Sequence, residues 1–167
     1  MSNPAQQDRF LILLDQHKKI LHKVAGSYER TAADRQDLVQ EMVVQLWRSF
    51  ERYDDRYRFS TWMYRVALNV AISFHRSETR RSRHIVPAED SILDIAAEAP
   101  SPANQDVRIL YEAMERLGEL DRALLILHLD GNTYDAIAEV LGISETNVGT
   151  KLNRLKQRLR RDLSRTD

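Results

Sequence analysis

The chain contains no cysteine, which excludes disulfides and any metal centre built on thiolates. Glycine and proline are scarce, 5 and 4 among 167 residues. The punctuation of a turn-rich β fold is therefore missing, and long stretches are left free to run as helix. Apolar and polar residues nowhere alternate with the period of two that a half-buried strand needs. No apolar run approaches the ~20 residues that span a bilayer, and no secretory leader pattern opens the chain, so a soluble cytoplasmic protein without membrane contact is expected. Motifs for catalysis are missing too: there is no Gly-rich phosphate loop, nucleophile elbow or paired-carboxylate motif. His17, His22, His75, His84 and His128 lack metal-ligand spacing with nearby carboxylates. Neither an enzyme nor a cofactor is expected.

Net charge is also zero, yet it is unevenly distributed. Residues 1–86 carry 15 Lys/Arg against 10 Asp/Glu, 87–107 none against 5, 108–147 3 against 8, and the last twenty 7 against 2. Positive charge is gathered at two places where a polyanion could be met, with an acidic stretch between them.

What is present is helical periodicity. Phe10, Leu13, Leu14, Ile20, Leu21 and Val24 fall on one helical stripe, and Val39, Met42, Val43, Leu46, Trp47 and Phe50 form a second. A polar and aromatic loop, 53–59, precedes a third helix that Ser60 or Thr61 would cap and that runs to about Arg76. Residues 87–104 hold Pro87, Pro100 and Pro102 and no basic residue, which is the composition of a linker, with room for a short helical turn at 92–97. Beyond it, Leu110, Met114 and Leu117 suit a helix that Gly118 interrupts, and 120–129 is an apolar helix ended by Asp130, Gly131 and Asn132. The pattern predicts a short helix over Tyr134–Leu141, a tight turn at Gly142 and Ile143, and Ser144 as N-cap of a long helix striped by Val148, Leu152, Leu155 and Leu159. The fold class is all-α: two small helical domains, 1–86 and 107–167, joined by a flexible acidic linker, 87–106. Each half lies close to the lower size at which a chain buries a core of its own.

Residues 133–154 have the parts of a helix-turn-helix. Ala138 is small where two helices cross, Gly142 stands where a positive φ is needed, and Ile143 and Val148 are apolar anchors. Asn147, Thr150, Lys151, Asn153 and Arg154 lie off the apolar stripe, and such donors and forks reach base edges or phosphates in a major groove. A plain helical hairpin is the alternative, but cap, turn and basic tail coincide. On the third helix Arg65, Asn69, Ser73 and Arg76 share one side, Arg80, Arg81 and Arg83 follow, and Phe59, Trp62 and Tyr64 crowd the start. Spacing alone leaves two readings open: a basic stripe beside rings that stack on unpaired bases, or core aromatics with solvated arginines. The second face of the helix at 36–50, with Asp37, Gln40, Glu41, Val44, Gln45 and Arg48, is a partner-docking face or an ordinary solvated one.

Three segments, Asp37-Leu38-Val39-Gln40-Glu41, Phe59-Ser60-Thr61-Trp62-Met63-Tyr64-Arg65-Val66-Ala67-Leu68-Asn69 and Ile137-Ala138-Glu139-Val140-Leu141-Gly142-Ile143-Ser144, together resemble the extracytoplasmic-function sigma factors of bacterial RNA polymerase. The resemblance spans nearly the whole chain, as two modules in order around a variable linker. It implies a promoter-specificity factor whose first module binds the β′ clamp helices of core polymerase and opens the minus-ten element. The second module would read the minus-thirty-five element of promoter DNA and contact the β flap. Carried onto this sequence, Asp37, Gln40, Glu41, Gln45 and Arg48 become the polymerase face. Phe59, Ser60, Thr61 and Trp62 fall in the loop that holds a flipped base, which needs an apolar wall and edge hydrogen bonds, with Asn69 close by. Arg65, Arg76, Arg80 and Arg81 would hold the backbone, and Asn147, Thr150, Lys151, Asn153 and Arg154 the upstream element. An anti-sigma partner is implied as well.

Three positions depart from the family pattern: Ser73 where an acid is usual, Gly149 where a basic residue is usual, and Gly118 where proline is common. From the short tail after the helix-turn-helix, no extra sensory domain is expected. Two rival expectations remain. One is a conventional helix-turn-helix regulator that binds a duplex operator unaided, with 1–86 serving dimerisation or sensing. The other is a nucleic-acid-processing enzyme using His75 or His84.

Overall fold

Three helix starts share one device. The hydroxyls of Thr31, Thr133 and Ser144 accept hydrogen bonds from the N–H groups of Asp34 at 3.0 Å, Ala136 at 3.4 Å and Asn147 at 3.2 Å, satisfying donors that a helix N-terminus leaves orphaned. The computed structural model describes residues 3–84, with side chains to 77, and residues 105–165. In chain order the helices are α1 (Pro4–Tyr28), α2 (Ala32–Ser49), a 3-10 turn (Phe50–Arg52), α3 (Phe59–His84), α4 (Gln105–Glu115), α5 (Glu119–Leu129), α6 (Tyr134–Leu141) and α7 (Glu145–Ser164). No strand occurs among the described residues. The helices group into two units, α1–α3 and α4–α7. The turn expected at 92–97 lies outside the described residues, and α4 begins at Gln105, inside the stretch assigned to the linker.

In the first unit α1, α2 and α3 pack pairwise around Phe10, Leu21, Val24, Leu38, Met42, Leu46, Met63, Tyr64 and Ala67, all buried. The buried stripe of α2 is Leu38, Met42 and Leu46, spaced i, i+4, i+8. Val39, Val43 and Trp47, expected in the core, are only half-buried, as are Leu13 and Leu14 on α1. Leu38 is fully buried instead. The face of α2 is rotated toward it because α1 and α3 press on the helix from both sides.

Helix α3 starts at Phe59, and its first intrahelical bond runs from the Trp62 N–H to the Arg58 carbonyl at 3.2 Å. Arg58, rather than Ser60 or Thr61, therefore occupies the cap position, and the loop ends one residue earlier than the sequence predicts. The helix also continues past Arg76 to His84.

The second unit is centred on α5, whose residues 122–127 are all buried, as expected of a helix surrounded by others. Met114, Leu117, Ile137, Val140, Val148, Leu152 and Leu155 close on it. Ile143 and Leu159, expected as core, are half-buried. Gly142 has φ 68°, and Ala138 O accepts from both Gly142 N at 2.9 Å and Ile143 N at 3.1 Å. A left-handed glycine satisfying a helix's last carbonyls in this way stops α6 and turns the chain into α7.

Candidate nucleic-acid interface

On α7 the buried residues are Val148, Leu152 and Leu155, and the predicted reading residues Asn147, Thr150, Lys151, Asn153 and Arg154 are all exposed. The Ser144 cap fixes where the helix begins, and the buried stripe fixes its rotation, so the polar face is aimed by the fold. The Thr150 hydroxyl donates to Thr146 O at 3.0 Å, leaving its lone pairs and methyl to face outward. Gly149 is half-buried beside Tyr134, where a Cβ would stand 3.6 Å from the ring.

In the first unit, the residues proposed to hold a flipped base fall in the first turn of α3, not in a loop. Phe59 and Thr61 are buried, while Ser60 and Trp62 are half-buried. Tyr64 is core, and Phe59 and Trp62 belong to a ring cluster that includes Phe50 and Tyr53, with centroids 5.1 Å apart for Tyr53–Trp62 and 5.4 Å for Phe59–Trp62. Arg65, Asn69 and Arg76 are exposed along α3. Arg80 and Arg81 continue the helix, and their side chains lie outside the described residues.

The loop before α3 is tied at several points. Tyr53 Oη donates to Tyr57 O at 2.7 Å, and the Tyr57 N–H to Asp54 O at 3.0 Å. Asp54 accepts from the Arg56 N–H at 3.0 Å and pairs with the Arg56 guanidinium at 2.6 Å. These bonds hold the Asp54 carboxyl below the ordinary carboxylate range and raise Arg56. Arg9 of α1 pairs with Asp55 and lies over the rings of Phe50 and Tyr53, 5.7 and 6.0 Å from their centroids, within cation–π range. Burial, with Asp55 and Asp54 adding and Arg9 opposing, pushes the Tyr53 phenol up.

Asp37, Gln40, Glu41 and Arg48 are exposed on α2, and Gln45 is half-buried, its Nε2 donating to Glu41 Oε1 at 3.2 Å. Glu41 and Gln45 line a groove of about 560 Å³ between α2 and α3, together with Asn69, Ser73 and Phe74. Two candidates for the polymerase face and one for the minus-ten element thus share one concavity, which Asp37, Gln40 and Arg48 do not line.

Two residues carry weight that nothing in the sequence marked. Arg9 clamps the loop from a helix that read as core packing, and Arg122 is buried in the second unit, donating to two backbone carbonyls. Among the described residues no cluster of three or more His, Asp or Glu could hold a metal ion, and no helix is long and apolar enough to cross a membrane.

A short helix, a left-handed glycine turn and a second helix with its polar face turned outward define a helix-turn-helix DNA-binding module, carried here with a separate three-helix unit. Residues 13–81 match Sigma-70 region 2, and residues 108–159 match Sigma-70, region 4. The ECF RNA polymerase sigma-E factor of Haemophilus influenzae is 28% identical over 149 residues, covering 81% of this chain and 79% of that protein. RNA polymerase sigma factor SigV of Bacillus subtilis is 25% identical over 152 residues, covering 90% of this chain and 89% of that protein. A solved structure of the sigma factor RpoE from Bartonella quintana, in complex with the anti-sigma factor NepR, superposes with a TM-score of 0.70 at 20% identity, covering 95% of this chain and 96% of that one. The chain belongs to the sigma-70 family of RNA polymerase sigma factors, in its extracytoplasmic-function group.

Proposed function

We propose that this chain directs core RNA polymerase to specific promoters in the cytoplasm and opens the DNA there, with no catalysis of its own. The first module, 1–86, docks the β′ clamp helices through Asp37, Gln40, Glu41, Gln45 and Arg48. It engages the minus-ten element with the start of α3 and with Arg65, Asn69, Arg76, Arg80 and Arg81. The second module, 107–167, reads the minus-thirty-five element through Asn147, Thr150, Lys151, Asn153 and Arg154 and meets the β flap. An anti-sigma factor, the kind of partner seen on the Bartonella relative, is the proposed regulator.

The observation that carries this reading is the α7 face: five donor-bearing side chains exposed opposite a buried stripe, on a chain that also matches region 2. Each basic segment offers few phosphate contacts, and non-specific binding of that kind is weak, roughly 10⁻⁴ to 10⁻⁶ M at physiological salt. Docking on polymerase makes the second contact intramolecular, which raises avidity by about 10²- to 10⁴-fold. Run-off transcription of genomic fragments with core polymerase, beside mobility shifts of the free chain, tests this. Discrete start sites and specific binding only with polymerase are expected. Nanomolar specific binding by the free chain, with no start sites, would return the conventional regulator.

A further inference from the structure

Past Leu155, helix α7 continues to Ser164 while burying little: Leu159 is half-buried and Leu163 is exposed at 38%. What this extension carries is charge on one side. Lys151, Arg154, Arg158, Arg161 and Arg165 follow Asn147 at steps of 4, 3, 4, 3 and 4 residues. At about 100° per residue, such steps keep one azimuth along a helix. All six side chains are exposed. Arg158 pairs with Asp162 at 4.0 Å, and among the described residues no carboxylate pairs with the other four cations. Lys156 and Arg160 lie off the row.

The helix dipole accounts for cations in a last turn, but it selects no azimuth and does not reach back to Arg158. A nucleic-acid groove does both. From Asn147 to Arg154 the helix advances about 10 Å, close to the ~12 Å width of a major groove. Arg158, Arg161 and Arg165 stand about 6, 10 and 16 Å farther along the same side. At that distance the base edges are behind the helix and the phosphates of the groove's rim are beside it. The guanidinium fork matches a phosphate bidentately, and a row of forks matches a backbone.

We infer that Arg158, Arg161 and Arg165 form a phosphate rail, which carries the DNA contact of α7 past the element it reads and onto the flanking duplex backbone. The inference rests on the reading of α7 as the minus-thirty-five helix, and its face is continuous with Asn147, Lys151 and Arg154. Backbone contacts carry no sequence information of their own, so the rail supplies affinity and register, and the first two turns of α7 supply preference.

The test uses holoenzyme, with the full chain saturating core polymerase, on duplex promoters over a series of salt concentrations. Each phosphate contact contributes about 0.9 to the slope of log K against log salt. The triple variant Arg158→Gln, Arg161→Gln, Arg165→Gln is therefore expected to flatten that slope by about 2–3, with unchanged preference in selection from a randomised upstream element. Glutamine keeps the helix propensity of arginine, and Arg→Lys at the same three positions is expected to keep the steep slope. Methylphosphonates, which are uncharged, on one flank of the read element are expected to flatten the slope of wild type and leave the glutamine variant unchanged. Should glutamine loosen the end of α7, the wild-type chain on methylphosphonate DNA carries the test, and no flattening with either flank substituted overturns the rail. A glutamine variant with wild-type slope and affinity overturns the inference alone. So does a changed base preference, which would make the three arginines readers, and so does a loss seen only with an acidic protein bound beside the promoter. A wild-type chain that gives no polymerase-dependent promoter binding overturns the promoter-directing reading and this inference with it.

Discussion

Arg122 Nη2 donates to the carbonyl of Leu117 at 3.3 Å, and also to that of Glu115 at 3.2 Å. The side chain is only 5% exposed. A buried guanidinium thus caps the C-terminal end of α4, where helix carbonyls lack intrahelical donors and where a cation meets the negative end of the helix dipole. Arg122→Ala removes both donors from a site water cannot easily refill, and should cost about 2–4 kcal/mol of stability in the second unit. Urea unfolding of the full chain, followed by helical ellipticity, reads the loss. An unchanged midpoint would assign the cap no energetic role.

Gly149 offers the opposite case. A Cβ there would meet the Tyr134 ring at 3.6 Å, an ordinary van der Waals contact, and glycine inside a helix is up to about 1 kcal/mol worse than alanine. Gly149→Ala should stabilise α7 by about 0.5–1 kcal/mol. A lower melting temperature would show that the Tyr134 ring cannot accommodate the methyl.

Asn69 shares its groove with Glu41 and Gln45, so a substitution there distinguishes DNA opening from polymerase docking. Asn69→Ala is expected to impair promoter opening while leaving affinity for core polymerase close to wild type. Permanganate footprinting of the minus-ten element reads the first, and a polymerase binding titration the second. Equal permanganate reactivity would reassign Asn69, and weakened core binding would place it in the docking face.

Arg154 stands exposed on α7, one residue before buried Leu155. If its fork reads a guanine edge, Arg154→Ala should cost about 1–3 kcal/mol of promoter binding and relax the preference at one upstream position. Selection from a randomised upstream element with the variant holoenzyme measures this. A uniform loss across sequences would mark a phosphate contact instead.

The helix-turn-helix was legible almost residue by residue because its signals are local. A hydroxyl at Ser144, a glycine forced to positive φ at Gly142 and the stripe of Val148, Leu152 and Leu155 each act within a turn or two of chain. The first unit was less legible because its decisions are tertiary. Whether Leu38 or Val39 is innermost on α2 depends on the directions from which α1 and α3 approach, and one residue of helix is about 100° of rotation. Burial of Phe59 depends on Phe50, Tyr53 and Trp62 gathering from three segments. Arg9 reaches Asp55 across 46 positions of chain. Arg122 is the one charge in the buried run 122–127, and the carbonyls of Glu115 and Leu117 that receive it are in place only in the folded unit.

On α7 the residues that hold the helix and the residues that face outward form two sets without a shared member. Val148, Leu152 and Leu155 answer to the second unit's core, while the side chains of Asn147, Lys151, Asn153 and Arg154 stand exposed. On the proposed reading of the outward set, inheritance can rewrite it while the other set stays fixed, so duplicated copies of such a gene can drift to new promoters without passing through an unfolded ancestor. If that set reads the promoter as proposed, it is also the place to diversify a library when a switch of promoter, rather than a new scaffold, is sought.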